Sequence, residues 1–318
     1  MSTTAALSTE YQAITEACGL LDRSDRGKLA LSGAEAKSFL QGQVTNDIEA
    51  LVEGAGCYAA FLTPKGKMLG DLRVLDTGGE LLLDTERSAL QALFNMIRRF
   101  SVGYNTELHK RTVQRGLLSL IGPSADALLA DSGPEPTEHA HRPGIVGAVS
   151  ARAIRTDIGI DLLCDAADTE TLAELLVERG ALPVSEGATE IVRVERGRPR
   201  YGVDLDESVI PQEAGLNERA VSFTKGCYVG QETVARLYYR GKPNRHLRGL
   251  RSDGPLSAGQ ELRLDGRVVG RVTSAVSSPR LGAIALGLVR REAPPGSRVT
   301  VVDSGRDAAV VELPFAAE

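Results

Sequence analysis

The chain has 318 residues, 42% apolar and 25% charged, with a formal net charge of −5 and an isoelectric point near 5.6. This balance is ordinary for a folded globular protein; it excludes a disordered chain and argues against a chain-wide polyanion binder, which carries a basic surplus. The length exceeds one core and predicts two or three domains, and 34 glycines predict many tight turns.

The first residues, MSTTAALSTEYQAITE, lack a basic start followed by an apolar core, so no secretory signal is expected. The longest apolar run, LGAIALGLV (281–289), is far short of the ~20 residues that cross a bilayer. A cytoplasmic protein with no membrane contact is the expectation. Cys18, Cys57, Cys164 and Cys227 are scattered and form no C-x-x-C pair, so reduced thiols are expected.

In chain order, a helix is predicted over TEYQAITEACG, with Thr9 and Gln12 as a capping box and Gly19 as its stop. A strand KLALS, a helix AEAKSFLQ and two strands in GCYAAFLTPKGKMLGDLRVLD around a Pro-Lys-Gly turn follow. After a strand ELLLD, the segment TERSALQALFNMIRRF sets Leu90, Leu93, Met96, Ile97 and Phe100 on one helical face, which reads as core. A similar series comes next: strand GLLSLIG, helix SADALLA, strands near IVGAVSARAI and GIDLLC, and helix DTETLAELLVERG with Asp168 as cap and Gly180 as stop. Strand, helix, two strands, helix, strand is the split βαβ order of ferredoxin-like folds, and the first ~190 residues accommodate it twice. His139 and His141 fall in a Pro/Gly-rich segment, DSGPEPTEHAHRPG, with no cysteine nearby, and read as part of a solvated loop, not a metal site.

Residues 193–232 show little periodicity but are dense in charge, glycine and proline, as functional loops are. From residue 245 short strands alternate with turns, and Asp265-Gly266 between two alternating runs is a hairpin signal, with Gly270 suited to a bulge. A terminal β-barrel or sandwich of about six strands is predicted. The fold class is therefore α+β.

Three features carry candidate chemistry. In KGCYVGQETVAR (225–236), Lys225 is placed to favour the thiolate of Cys227, a helix beginning just after the cysteine would add backbone N–H groups, and Gly226 and Gly230 permit close approach of backbone or ligand. The alternative is an inert cysteine in a glycine turn. Between Thr233 and Ser252 there are six basic residues and no acid, which suits either a polyanion or a solvated edge paired with acids such as Asp204, Asp206 and Glu207. Glu195, just before a glycine turn, is suited to accept two parallel N–H bonds from a pterin-like edge, or to pair with Arg193 or Arg198. No Walker motif, dinucleotide fingerprint or H-E-x-x-H is present.

FLQGQVTNDI (39–48), AAFLTPKGKMLGDLRV (59–74), RVERGRPRYGVDLDESVIPQEAGL (193–216) and KGCYVGQETVAR together resemble the YgfZ-type folate-binding proteins, relatives of the glycine-cleavage T-protein that include mitochondrial iron-sulfur assembly factors. The K-G-C-Y-x-G-Q-E string is the most specific of the four. The resemblance implies two ferredoxin-like domains (1–112 and 113–240) and a C-terminal barrel (241–318) in a cloverleaf around a channel for tetrahydrofolate, with no permanent metal. It implies Cys227 and Lys225 as the reactive pair. Glu195 would hold the pterin, Asn46 would line the channel, and Gly226, Tyr228, Gly230, Gln231, Glu232 and Arg236 would complete the folate side. The implied role is support of iron-sulfur enzymes, including tRNA-modifying radical enzymes. A folate-dependent aminomethyltransferase and a tRNA-binding helper with a weak contact through the basic run are the alternatives. Two departures stand out: Leu90 occupies the place of the aminomethyltransferase catalytic aspartate, and the chain has no tryptophan to stack a pterin.

Overall fold

The computed structural model describes residues 3–129, 132–302 and 304–316; Ala130 and Asp303, inside two predicted segments, lie outside the described residues, as does Asp131. In chain order the elements are α1 (Thr3–Glu16), β1 (Gly19–Asp22), β2 (Gly27–Ser32), α2 (Ala36–Gln41), β3 (Gly56–Leu62), β4 (Met68–Asp76), β5 (Glu80–Thr85), α3 (Leu90–Phe100) and β6 (Glu107–Lys110). Then come β7 (Arg115–Ile121), α4 (Ala125–Leu129), β8 (His141–Val146), β9 (Val149–Thr156), β10 (Gly159–Asp165), α5 (Thr169–Glu178), β11 (Leu182–Pro183), α6 (Glu186–Glu195), α7 (Asn217–Ala220) and α8 (Gln231–Arg240). Six strands close the chain: β12 (Arg245–Ser252), β13 (Glu261–Leu264), β14 (Arg267–Ser278), β15 (Gly282–Arg290), β16 (Arg298–Val301) and β17 (Arg306–Val311). They gather into two compact units. One takes the residues up to Leu62, Leu69–Ala188 and Arg219–Val229; the other takes Thr63–Met68, Thr189–Glu218 and the chain from Gly230 onward.

The first unit holds two sheets. In the five-stranded sheet, order β3-β4-β5-β2-β6, strand β5 lies between β2 and β4 as a split βαβ unit requires, and β3 is an added edge. The six-stranded sheet, order β11-β1-β7-β10-β9-β8, repeats the plan with one exchange. The place beside β7 is taken by β1, from the N-terminal segment, with β11 outside it. All four residues of β1 register with β7, from Gly19 opposite Ile121 to Asp22 opposite Leu118, whereas β11 contributes two pairs. Gly19 is thus the first residue of a strand and not a helix stop. A Cβ there would come within 2.9 Å of Ile14, so the close passage of α1 accounts for the glycine. Helix α1 starts six residues before Thr9, which places the expected cap inside the helix. In α3, Leu93, Met96 and Ile97 are buried, but Phe100 is 47% exposed at the last residue of the helix.

The second unit is built on a closed barrel in the order β12-β15-β14-β13-β16-β17. Its hairpin turns at Asp265 (φ 49°) and Gly266 (φ 77°), the two left-handed residues of a type I′ turn. The register of β13 on β14 shifts between Leu262, opposite Gly270, and Arg263, opposite Val268, so the bulge sits beside Gly270 as its sequence suggests. Leu250, Leu262, Val272, Val289, Val299 and Val310 fill the barrel, each burial contributing about 1.5–3 kcal/mol.

Candidate ligand-binding site

In the first unit, the Lys225 ammonium donates to the carbonyls of Gln41 (2.7 Å), Val44 (2.8 Å) and Asn46 (2.6 Å). An ammonium has three N–H donors, so this turn engages all of them. Burial lowers its pKa to about 8, with Asp47, Cys57 and Glu49 acting the other way. The Tyr228 ring centroid lies 5.2 Å from Nζ, and burial pushes the Tyr228 phenol up to about 12. Lys225 therefore fastens the KGCY segment to the QGQVTND turn. The cation expected to serve the Cys227 thiol is committed to three carbonyls, because the turn at residues 41–46 presents them to one point. The sulfur that feels Lys225 is Cys57: burial pushes its pKa up to about 12, and the ammonium pulls it down. Cys227 is exposed, and open space surrounds the position a Cβ of Gly226 would take.

Asn46 braces the same turn. Its amide nitrogen donates to the carbonyls of Tyr58 (2.9 Å) and Arg219 (3.3 Å), and its side-chain oxygen accepts the Asp47 N–H (2.9 Å). Further ties run from Ser222 N–H to the Thr45 carbonyl (3.0 Å) and from Val229 N–H to the Gly42 carbonyl (3.1 Å).

The remaining predicted residues belong to the second unit. Glu195 ends α6, and Gly197 (φ 64°) turns the chain after it. Its buried carboxylate accepts the Ser278 hydroxyl and lies 3.5 Å from the Arg280 guanidinium. Arg193, one expected partner, goes instead to Glu190 (2.8 Å), Asp204 (2.6 Å) and Ser274 (2.7 Å), because one turn of α6 sets it over Glu190. Gly230 (φ 84°) precedes α8 in the left-handed region that favours glycine. Gln231 is half-buried, and Glu232 and Arg236 are exposed. The basic run divides. Arg245 binds Glu213 (2.9 Å) and Arg248 binds Glu312, neither of them the acids expected from sequence, whereas Arg236, Arg240 and Lys242 are exposed. Asp204 is occupied by Arg193, Thr273 and Ser274.

A second concentration of polar groups lies in the first unit, where a cavity of about 180 Å³ is lined from both sheets. Arg73 on β4 pairs with Asp84 directly opposite on β5 (2.7 Å) and reaches Asp161 of the other sheet (2.8 Å). Arg26 also binds Asp84 (2.8 Å). Asp71, two residues before Arg73 and on the same face, accepts the Tyr58 hydroxyl (2.6 Å). Burial raises its pKa to about 6; the Tyr58 bond lowers it and Glu86 raises it. His139 also lines the cavity, held near a pKa of 4 first by burial and then by Arg73. His141 is buried in β8: its Nδ1 accepts from Arg152 (2.8 Å), so the other ring nitrogen donates to the Ala55 carbonyl (3.2 Å). The solvated-loop reading of this pair is corrected: His141 pairs with Ile154 of β9, and the N–H of His139, just before β8, donates to the Arg155 carbonyl (3.0 Å).

Comparison with known proteins now decides the family. Residues 1–225 match the GCVT N-terminal domain and residues 245–316 match the glycine cleavage T-protein C-terminal barrel domain. The chain belongs to the glycine cleavage T-protein family. It is 31% identical to an aminomethyltransferase of Thermotoga petrophila, over 96% of this chain and 88% of that one, and 30% identical to one of Rubrobacter xylanophilus, over 98% and 86%. A putative chloroplastic transferase of Arabidopsis thaliana is 28% identical over 94% of this chain and 71% of its own length. The crystal structure of the glycine cleavage system aminomethyltransferase T from Bartonella henselae superposes with a TM-score of 0.87 at 25% identity, covering 98% of this chain and 90% of that one. The two T-protein domain matches leave residues 226–244, with Cys227, between them.

Sequence reading passed over Asp71 and Tyr58. The available signal was the charges Asp71 and Arg73 at i and i+2 inside MLGDLRVLD, a strand that is buried along nearly its whole length.

Proposed function

We propose that the protein binds a tetrahydrofolate and serves folate-linked one-carbon transfer of the aminomethyltransferase kind. The observation that carries this reading is the buried Glu195 carboxylate on the Gly197 turn, in a chain of this family. A carboxylate offers about four acceptor sites, a geometry suited to the paired N–H donors of a pterin edge. In this reading Glu195 orients the ring, with the Arg280 guanidinium beside it. Lys225 and Asn46 hold the QGQVTND turn in shape.

A second reading, an accessory protein of iron-sulfur enzymes including tRNA-modifying ones, is favoured by Leu90 in place of a catalytic carboxylate and by the exposed thiol of Cys227. Here folate is held without being turned over, and Cys227 faces a partner. Tetrahydrofolate titration of the wild type and of Glu195→Ala tests the shared premise. Saturable binding, weakened about 10- to 100-fold by the substitution, is expected from loss of a charged hydrogen-bond pair; absence of binding in the wild type sinks both readings. Turnover of a folate one-carbon adduct supports the first. Full restoration of iron-sulfur enzyme activity in a deficient cell by Cys227→Ala rejects the second.

A further inference from the structure

The cavity in the first unit enters neither reading. Most charges lining it are matched: Arg26 and Arg73 share Asp84, Arg73 also binds Asp161, and Glu138 binds Arg219 (2.6 Å). Two are not. The carboxylate of Asp71, 5% exposed, takes one hydrogen bond, from Tyr58, and has no ion pair among the described residues. Arg23 is half-buried; its backbone N–H is held by the Leu117 carbonyl (2.8 Å), and its guanidinium has no ion pair among the described residues. One cavity thus carries one anion and one cation without an ion pair among the described residues, on a lining drawn from both sheets.

We propose that this cavity binds a small zwitterion, an amino acid or its longer homologue, with the ammonium on Asp71 and the carboxylate on Arg23. A purely cationic ligand would leave Arg23 unmatched and meet Arg26 and Arg73. A purely anionic one would face Asp71, Glu138 and Asp161. A ligand with both charges satisfies both walls. Size gives a second limit: about 150 Å³ accommodates benzene, so about 180 Å³ accommodates about six to eight non-hydrogen atoms. Leu72, Ile121 and Ile158 on the lining supply apolar surface for the methylenes between the charges. Tyr58 orients the receiving carboxylate, and is itself positioned by Asn46 on its carbonyl and by Arg219 against its ring (5.2 Å). Burial and neighbouring acids hold Asp71 near a pKa of 6 against the pull of Tyr58 and Arg26, and a bound ammonium would lower it by adding a counter-charge in direct contact. Every residue named is in the first unit, so the inference does not rest on the folate reading.

Calorimetric titration of the full chain near neutral pH with glycine, β-alanine and 4-aminobutyrate, zwitterions of increasing charge separation, tests it, with acetate and methylamine as single-charge controls. Saturable binding of at least one zwitterion is expected, with both controls about tenfold weaker or worse. Asp71→Asn, which keeps the shape and removes the charge, and Arg23→Gln should each weaken binding by about tenfold or more. Tyr58→Phe, which leaves both charges in place, should weaken it less than Asp71→Asn. Three results overturn the proposal: no zwitterion binding by about 10 mM, undiminished binding by both charge variants, or acetate binding as tightly as any zwitterion. A folate titration of the same samples is read separately, so failure of one site is distinguishable from failure of the other.

Discussion

Asp84 and Asp71 stand on neighbouring strands of one sheet, and both face the same cavity. Burial acts to raise the pKa of each. At Asp84 the guanidinium groups of Arg26 and Arg73 outweigh it and hold the carboxyl below the usual range. At Asp71 there is a phenol and, among the described residues, no ion pair, and burial prevails, to about 6. The difference lies in what the strand register delivers. Arg73 is opposite Asp84, so the cation reaches one acid and not the one two residues away on its own strand. A buried charge matched by protein is structural, whereas one left to a phenol is open to an outside partner.

Arg73→Ala should have the largest effect of the substitutions in this region. It leaves Asp161 unpaired and Asp84 with Arg26 alone, and should cost about 3–5 kcal/mol in urea unfolding. Asp71→Asn should act in the opposite sense. The folded-state pKa of Asp71 is raised from 3.8 to about 6, so its favourable contribution is complete below pH ~4 and is lost as pH rises through 6. The variant should therefore be more stable than wild type by up to roughly 3 kcal/mol above pH ~6.5, with the gain gone below pH ~4. Destabilisation at neutral pH by Asp71→Asn would show that Asp71 is matched after all. Lys225→Met extends the contrast beyond the cavity: three carbonyls lose their donor, and about 2 kcal/mol of stability should go with them, measured by the same denaturant midpoint. Cys227→Ala is the exposed control, with an expected change within about 0.5 kcal/mol, so any loss of function in it is not a loss of folding.

Much of the fold was legible along the chain. The Pro-Lys-Gly turn between β3 and β4, the Asp265-Gly266 hairpin and the bulge at Gly270 each follow from residues within a few positions of one another. The site was legible only as a set of names. Sequence brought forward Lys225, Asn46 and Glu195, but it assigned Lys225 to a thiol when its donors go to a turn about 180 positions away. His139 and His141 read as solvated because their neighbours are Pro and Gly, and β9 decides otherwise.

Period, turn chemistry and motif strings are local properties, and they were enough to set the α+β class, the terminal six-stranded unit and the resemblance to relatives of the glycine-cleavage T-protein. Only the tertiary structure decided that β1 enters the second sheet, that Asp84 receives two guanidinium groups while Asp71 receives a phenol, and that Lys225 closes on three carbonyls. Those outcomes depend on the register of strands and loops distant in the chain, and a one-residue change in register would send each side chain to the opposite face.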